Sequence, residues 1–403
     1  MDNKTKEIVE LEEAARRIRE STAKLPVVKM GLDVLSNETL AEDILSAMDQ
    51  PPFSRSPLDG YDFRGEDSAG AVRKNPVYLN MIDKICAGEE KQLVVHKGEA
   101  VRLMTGARIP EGADTVIRQE DTDYGKERVA LYRSLKPYDN YCFQGEDFKK
   151  GTLLFRKGST LNFAAIGVLA GNGMQEVSVV RKPEVAVVST GDELQSPGEP
   201  LEPGKIYDCN RYLLLSRLRE LGIHCWGVQV RDDSYAVTGE LRRQLGRADA
   251  VITTGGVSVG EKDVMKDVLQ KLEAEILFYG VKMKPGMPTK FALVCGKPVL
   301  ALSGNPFAAL AAFELLGRPM LNALMSSDWL ELRRTNAILK NGFGKSSPVR
   351  RLIRGKYKDG SVWNPSGNSS GQIASLAECN CLIDLPAGSG PVAPGSKVEL
   401  LSF

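Results

Sequence analysis

The chain has 403 residues, with 53 Lys and Arg against 52 Asp and Glu and a formal net charge of +1. That balance argues against a protein held to nucleic acid by a broad basic face, and an apolar fraction of 42% excludes disorder as the main state. Only two histidines occur, His96 and His224, so carboxylates, amines and backbone groups must carry most of any chemistry.

The length implies roughly two to four domains. No apolar run is read as approaching the ~18 residues of a membrane helix; Phe163 to Gly171 is the longest stretch noted. The charged N-terminus lacks the apolar centre of a signal peptide. The seven cysteines are odd in number and scattered. Cys379 and Cys381 form a CxC read as structural. A reduced, cytoplasmic setting is the default expectation.

In chain order, residues 5–20 read as an amphipathic helix, with Ile8, Leu11, Ala15 and Ile18 at helical spacing. Leu40 to Leu45 reads as a second helical stretch. The Pro-, Gly- and Asp-rich segment 51–67 reads as a structured loop opening a new unit. From about 75 to 150 the segments VYLNMI, KQLVVH, AVRLMTG, DTVIRQED and VALYRSL are short and β-like. LNFAAIGVLAGNGM (161–174) reads as a helix with a glycine cap.

A different pattern begins at Lys182. EVAVVST (184–190) is a continuous apolar run, as expected of a strand buried on both faces. NRYLLLSRLRELG (210–222) reads as a helix capped by Asn210 and stopped by Gly222. HCWGVQVRDD, ADAVITTGGVSVG and KPVLALSGNP read as strands. YAVTGELRRQLG, DVMKDVLQKLEAEI and FAALAAFELLGRPML read as helices. This alternation predicts a parallel sheet in a three-layer α/β sandwich from about 182 to 326. The tail from 330 returns to short strands and predicts a small β-barrel.

Three loops follow the α/β strands: STGDEL (189–194), TTGGVSVG (253–260) and LSGNPFAAL (302–310). They place Thr190, Gly191, Gly255, Gly256, Ser258, Gly260, Ser303 and Gly304 at the carboxyl edge of the sheet, where open parallel sheets bind ligands. Glycine lets backbone N–H groups approach an anion, and Ser and Thr add donors. Asn305 and Pro306 fit a helix start. One such loop alone reads as an ordinary turn; three at one edge favour a phosphate or oxyanion pocket. Asp192, Glu193 and Asp263 in or beside these loops would repel phosphate unless a divalent cation bridges them, and hard oxygen ligands favour Mg²⁺. Lys284 in MKPGMP can serve as a point charge on an oxyanion, or is a solvated surface lysine. By themselves, Asp59 in PLDGYD, RLMTGARIPEGADTVI and Asp147 in FQGEDFKKG read as ordinary turns.

Taken in order, PPFSRSPLDGYD, RLMTGARIPEGADTVI, QGEDFKKG, VAVVSTGDEL, IYDCNRYLL, DAVITTGGVSVGEKDV, MKPGMP and LSGNP resemble the molybdopterin molybdenumtransferase family, called MoeA in bacteria and including the E domains of gephyrin and plant Cnx1. The resemblance spans essentially the whole chain. It implies a discontinuous first domain (1–44 and 150–181), an inserted β-rich domain (45–149), a MogA-like α/β domain (182–328) and a C-terminal β-barrel (329–403). It also implies an elongated homodimer whose cleft lies between the α/β domain of one subunit and the inserted domain of the other.

The implied reaction is Mg²⁺-dependent insertion of molybdate into adenylylated molybdopterin with release of AMP, the pterin arriving from a molybdopterin-adenylylating protein. No membrane or nucleic-acid partner is implied. By motif match, Asp59, Thr105, Asp147, Glu193, Asp263 and Lys284 correspond to residues implicated in the family's activity. Asp232 is a further candidate for which Asp233 competes. Glu193 and Asp263 would help hold the metal, Lys284 and the loop donors the oxyanions, and Asp59 and Asp147 would act from the facing subunit. The chain departs from the family pattern at Leu58, Asp62, Gly280, Met287 and Ser303. The alternatives are a non-enzymatic pterin- or metal-binding scaffold and some other Mg²⁺-dependent nucleotide hydrolase; no Walker-type GxxxxGK[ST] supports the latter.

Overall fold

The computed structural model describes residues 7–257, 263–365 and 369–403. Helix α1 (Leu11–Ser21) starts later than its periodicity predicts, because Ile8–Val9 leaves the helix to pair in parallel with Gly280–Val281. Ala14 and Ile18 are fully buried in the α/β core, and α1 packs on the last helix of that core. Leu40 to Leu45 is not helical. Thr39–Leu40 and Ile44–Leu45 are short strands paired with Val179–Val180 and Leu153–Phe155. Leu40 and Ile44 still face one core, so their four-residue spacing imitates a helix while other strands supply the hydrogen bonds. Residues 27–31 pair antiparallel with 176–180. Beneath them lies α2 (Phe163–Gly171), capped by the Asn162 side chain and followed by Gly173 at φ +78°.

Between these segments stands a five-stranded sheet in the order 115–118, 60–63, 99–103, 72–85, 128–133. Alternating side chains divide its core: Tyr61 and Phe63 enter one cluster, Val101, Leu103 and Val116 another. KQLVVH forms no strand and contributes only an isolated bridge from Val94 to Glu111.

The α/β domain holds a six-stranded sheet in the order 224–230, 184–190, 250–254, 297–302, 290–294, 275–278. The first four strands are parallel; the last two are antiparallel, against the expectation of an all-parallel sheet. The run DVMKDVLQKLEAEI merges a helix and the start of one of these strands. Along 184–190, Val185 and Val187 enter one core and Ala186 and Val188 the other. Helix α3 (Asn210–Glu220) covers the first face. Helices α4 (Ser234–Leu245) and α5 (Val264–Lys271) cover the second.

The final helical run joins α6 (Pro306–Ala312), a π-helical turn (Phe313–Gly317) and α7 (Arg318–Met325). Pro306–Met325 is as apolar as a membrane span, contrary to the sequence reading, yet 94% of it is buried inside the protein. Glu314 in the π turn is buried between Arg217 (2.6 Å) and Arg318 (2.5 Å). The tail closes a five-stranded barrel: 350–358, 361–363, 333–339, 397–402 and 381–385, the last pairing back to the first. Met283–Lys284 adds to its edge beside Arg350–Arg351. Cys381 lies in the barrel core, where burial pushes its thiol up to about 12.

Candidate active site at the carboxyl edge of the sheet

The apolar strand 184–190 delivers Thr190 to the sheet edge with its hydroxyl buried. Thr190 Oγ1 donates to Asp232 Oδ1 at 2.9 Å, and the Asp232 N–H donates to Asp192 Oδ1 at 3.2 Å. Gly255 (φ +92°) and Gly256 (φ +64°) bend the next loop against this pair. A methyl group on Gly255 would lie 2.1 Å from the Thr190 carbonyl oxygen, and one on Gly256 would lie 3.3 Å from Asp232 Oδ1. Only glycine fits this approach.

The third loop is tied in by Asn210. Its side-chain amide donates to Thr254 Oγ1 (2.8 Å) and to the Gly304 carbonyl (2.7 Å). Asn210 therefore does not cap α3, as the sequence predicts; it lies inside the first turn, and the Asp208 carboxylate accepts from the Arg211 N–H instead. Ser303 Oγ accepts from the Asn305 N–H at 3.2 Å. Asn305 and Pro306 do start α6, although the Asn305 side chain makes no capping bond. Thr190, Gly191, Asp192, Asp232, Gly255, Gly256, Ser303, Gly304 and Asn305 thus form one connected edge. A cleft of roughly 650 Å³ adjoins it, lined by Gly191, Asp192, Lys205, Gln229 and Arg231 among others. Ser258 and Gly260 lie outside the described residues.

The remaining α/β candidates take distinct positions. The Glu193 carboxylate folds over Gly191, where a methyl group would meet its Oε2 at 2.7 Å. Asp263 caps α5 by accepting from the Lys266 N–H (3.2 Å) and pairs with the ammonium of Lys290 at 2.8 Å. Burial, then the nearby Asp263 charge, pushes the Tyr279 hydroxyl up. Lys284 is exposed on the short strand beside the barrel. Gly280 has a steric cause: a side chain there would press on the Met287 carbonyl (3.1 Å) and Ile8 (3.2 Å).

The barrel reaches the same edge. The Ser370 carbonyl accepts from the Phe307 N–H at 3.0 Å, in the first turn of α6. Arg354, fully buried, lies 4.2 Å over the Phe307 ring and donates to the Ser369 and Gln372 carbonyls, both at 2.5 Å, and to Ser375 Oγ at 2.7 Å. The sequence reading missed Arg354 and Lys290. No local pattern distinguishes either from a surface cation.

In the inserted domain, both the N–H and the hydroxyl of Thr105 donate to Asp59 Oδ1 at 2.7 Å. The backbone bond and then the hydroxyl bond hold the Asp59 carboxyl below its usual range. Asp147 sits on a separate turn, its N–H donating to the Gln50 carbonyl at 3.0 Å. Among the described residues, no recorded hydrogen bond or ion pair joins Asp59, Thr105 or Asp147 to the strand-end loops. Nor do three or more His, Cys, Asp or Glu gather into a metal cage. The Asp192 carboxylate accepts from the Asp232 N–H, and both side chains offer hard oxygen donors at this edge. Such a set fits Mg²⁺ completed by water and substrate phosphate, which prefers one or two carboxylates to a closed cage.

A doubly covered α/β sheet with three glycine loops at one edge, an inserted β-rich sheet and a closed barrel make up a multidomain architecture shared with the molybdopterin biosynthesis MoeA proteins. Family models agree along the chain: the MoeA N-terminal region (domain I and II) matches residues 9–173, a probable molybdopterin binding domain matches 186–323, and the MoeA C-terminal region (domain IV) matches 336–403. A molybdopterin molybdenumtransferase of Staphylococcus epidermidis is 37% identical over 398 residues, 98% of this chain and 95% of the relative. One from Staphylococcus aureus strain COL is 36% identical over the same shares. A crystal structure of the molybdopterin biosynthesis MoeA protein of Pyrococcus horikoshii superposes with a TM-score of 0.85 at 32% identity, covering 98% of this chain and 99% of that one. The chain belongs to the molybdopterin molybdenumtransferase (MoeA) family.

Proposed function

We propose that this protein performs the metal-insertion step of molybdenum cofactor biosynthesis: molybdate and adenylylated molybdopterin enter, and molybdenum cofactor and AMP leave. One observation carries the reading. Three glycine-bearing loops meet at one sheet edge, locked together by Asn210 and by the Thr190–Asp232 bond. Their backbone N–H groups and hydroxyls are suited to a tetrahedral dianion and a pyrophosphate. Lys284 adds a mobile positive charge. Asp192 and Asp232, with Glu193 nearby, would hold Mg²⁺; bound there, the ion would neutralise the phosphoanhydride as AMP leaves. The Thr105 bonds keep Asp59 ionised, ready to orient a donor on the substrate.

Among the described residues, Asp59 and Asp147 make no hydrogen bond or ion pair with the strand-end loops of their own chain. They would therefore act across a homodimer, each inserted domain facing its partner's α/β edge. The pterin would come from an adenylylating protein. The unpaired, scattered cysteines fit a cytoplasmic setting.

The test combines purified protein, Mg²⁺, molybdate and adenylylated molybdopterin, and measures AMP and reconstitution of an apo-molybdoenzyme. Both products are expected. Unchanged substrate would defeat the transferase reading and leave a pterin-binding scaffold. The absence of lysine at Gly280 and Met287 is the one observation that favours the scaffold.

A further inference from the structure

Lys290 opens the strand Lys290–Val294, and Ala292 and Val294 on the same face pack into the core beneath α4 and α5. Its side chain is only 2% exposed, and its ammonium meets Asp263 Oδ2 at 2.8 Å. The other oxygen of Asp263 caps α5. The first turn of α5 docks on the strand-end edge: the Met265 N–H donates to the Gly256 carbonyl at 3.1 Å, and a methyl group on Gly256 would lie 3.1 Å from Thr190 Cγ2 and 3.3 Å from Asp232 Oδ1. The ion pair therefore lies directly behind the loops that would receive an anion.

Each partner is adverse without the other. A buried ammonium under the positive end of a helix opposes the helix dipole and loses its hydration. A bare carboxylate behind an anion pocket repels the anion. Together they are neutral, and the positive end of the α5 dipole then dominates the local field.

We propose that Lys290 is a positioning residue for substrate: an internal counter-cation that neutralises Asp263 and lets the edge bind a phosphorylated ligand without a metal at that carboxylate. The inference rests on the anion-pocket reading above and assigns a role to a residue outside the motif set. A divalent ion can take over only by replacing the lysine at Asp263.

The test is calorimetric titration of ADP, a pyrophosphate-bearing probe, into the full-length protein, once in EDTA and once in excess Mg²⁺. Wild type should bind in both buffers. Lys290→Met and Lys290→Gln should lose about tenfold or more in EDTA, the scale of a close charge pair. The deficit should shrink to under about threefold in Mg²⁺, because the ion replaces the missing ammonium. Lys290→Arg should restore metal-free binding. Lys290→Gln keeps a donor to Asp263, so it guards against a simple folding failure in Lys290→Met. An equal loss in both buffers, or no loss, overturns the role of Lys290 alone. Failure of wild type to bind ADP in either buffer overturns the anion-pocket reading and this inference together.

Discussion

The Asn210 side-chain amide donates to the Gly304 carbonyl at 2.7 Å, joining the first turn of α3 to the loop that starts α6. With its second bond to Thr254 Oγ1, this one side chain fixes the spacing of two strand-end loops. Asn210→Ala removes both bonds at a buried position. A loss of about 1–3 kcal/mol in unfolding free energy is expected. Substrate KM should rise more than kcat falls, because loop spacing acts on binding. Denaturant titration and steady-state kinetics check this; an unchanged KM would show that the loops keep their positions without Asn210.

Gly255 and Gly304 make opposite demands. Gly255→Ala places a methyl group 2.1 Å from a backbone carbonyl at φ +92°. It should destabilise by roughly 3 kcal/mol or more and abolish activity. Among the described residues, Gly304→Ala meets nothing closer than 3.7 Å. Its melting temperature should stay near wild type while substrate affinity falls, since the added methyl would stand beside Gly255 at the edge proposed to receive the ligand. Normal affinity in that variant would place the ligand elsewhere.

Asp62 is fully buried in the inserted domain, and among the described residues neither of its carboxyl oxygens makes a well-formed hydrogen bond; the Phe63 and Thr115 N–H groups beside it relieve its burial only in part. Burial pushes its pKa well above the usual carboxylate range. The folded state therefore keeps a proton that the unfolded chain releases above about pH 4. The stability this carboxyl contributes is full below that unfolded value, falls as pH rises, and is lost once pH passes the raised folded value. Asp62→Ala should be stabilising by about 1–3 kcal/mol at pH 8 and by less at pH 5. Thermal melts at the two pH values check it, and an equal effect at both would contradict a neutral buried Asp62.

Thr105→Val removes one of the two bonds to Asp59 and leaves the backbone bond in place. The Asp59 pKa should rise toward its ordinary value. The acid limb of the activity profile should then move to higher pH, with little change in melting temperature. A profile that does not move would remove Asp59 ionisation from the reaction.

Glu314→Gln leaves Arg217 and Arg318 without their shared carboxylate in the π turn. Breaking a buried pair in this way costs about 3–5 kcal/mol. Differential scanning calorimetry should show a clear loss of unfolding free energy. A loss under about 1 kcal/mol would show that water compensates the arginines.

Much of this was legible in the residues. The strand 184–190 announces itself by an unbroken apolar run, and Gly255, Gly256 and Gly304 do lie at one edge. Asn210 was misread because an asparagine before a helix looks like a cap, whatever stands opposite its amide. Strand 275–278 was hidden because its first residues continue the charge pattern of α5. Strand 290–294 opens on a lysine, which composition alone assigns to the surface; only the fold shows that Asp263 waits beside it. Leu40 and Ile44 carry helical spacing in extended backbone, since packing on α2 and pairing with 153–155 and 179–180 override a pattern only six residues long.

Helix α1 is made early and housed late. Its berth is α7, and the Leu324 carbonyl accepts from the Leu25 N–H at 2.8 Å just beyond its end. During synthesis the amphipathic segment 11–21 must wait for some 300 further residues, about 15–60 s at typical ribosome speeds. Until strand 275–278 and then the 313–325 region emerge, its apolar stripe lacks most of its native neighbours, so the nascent chain has a built-in demand for chaperone shielding of this segment.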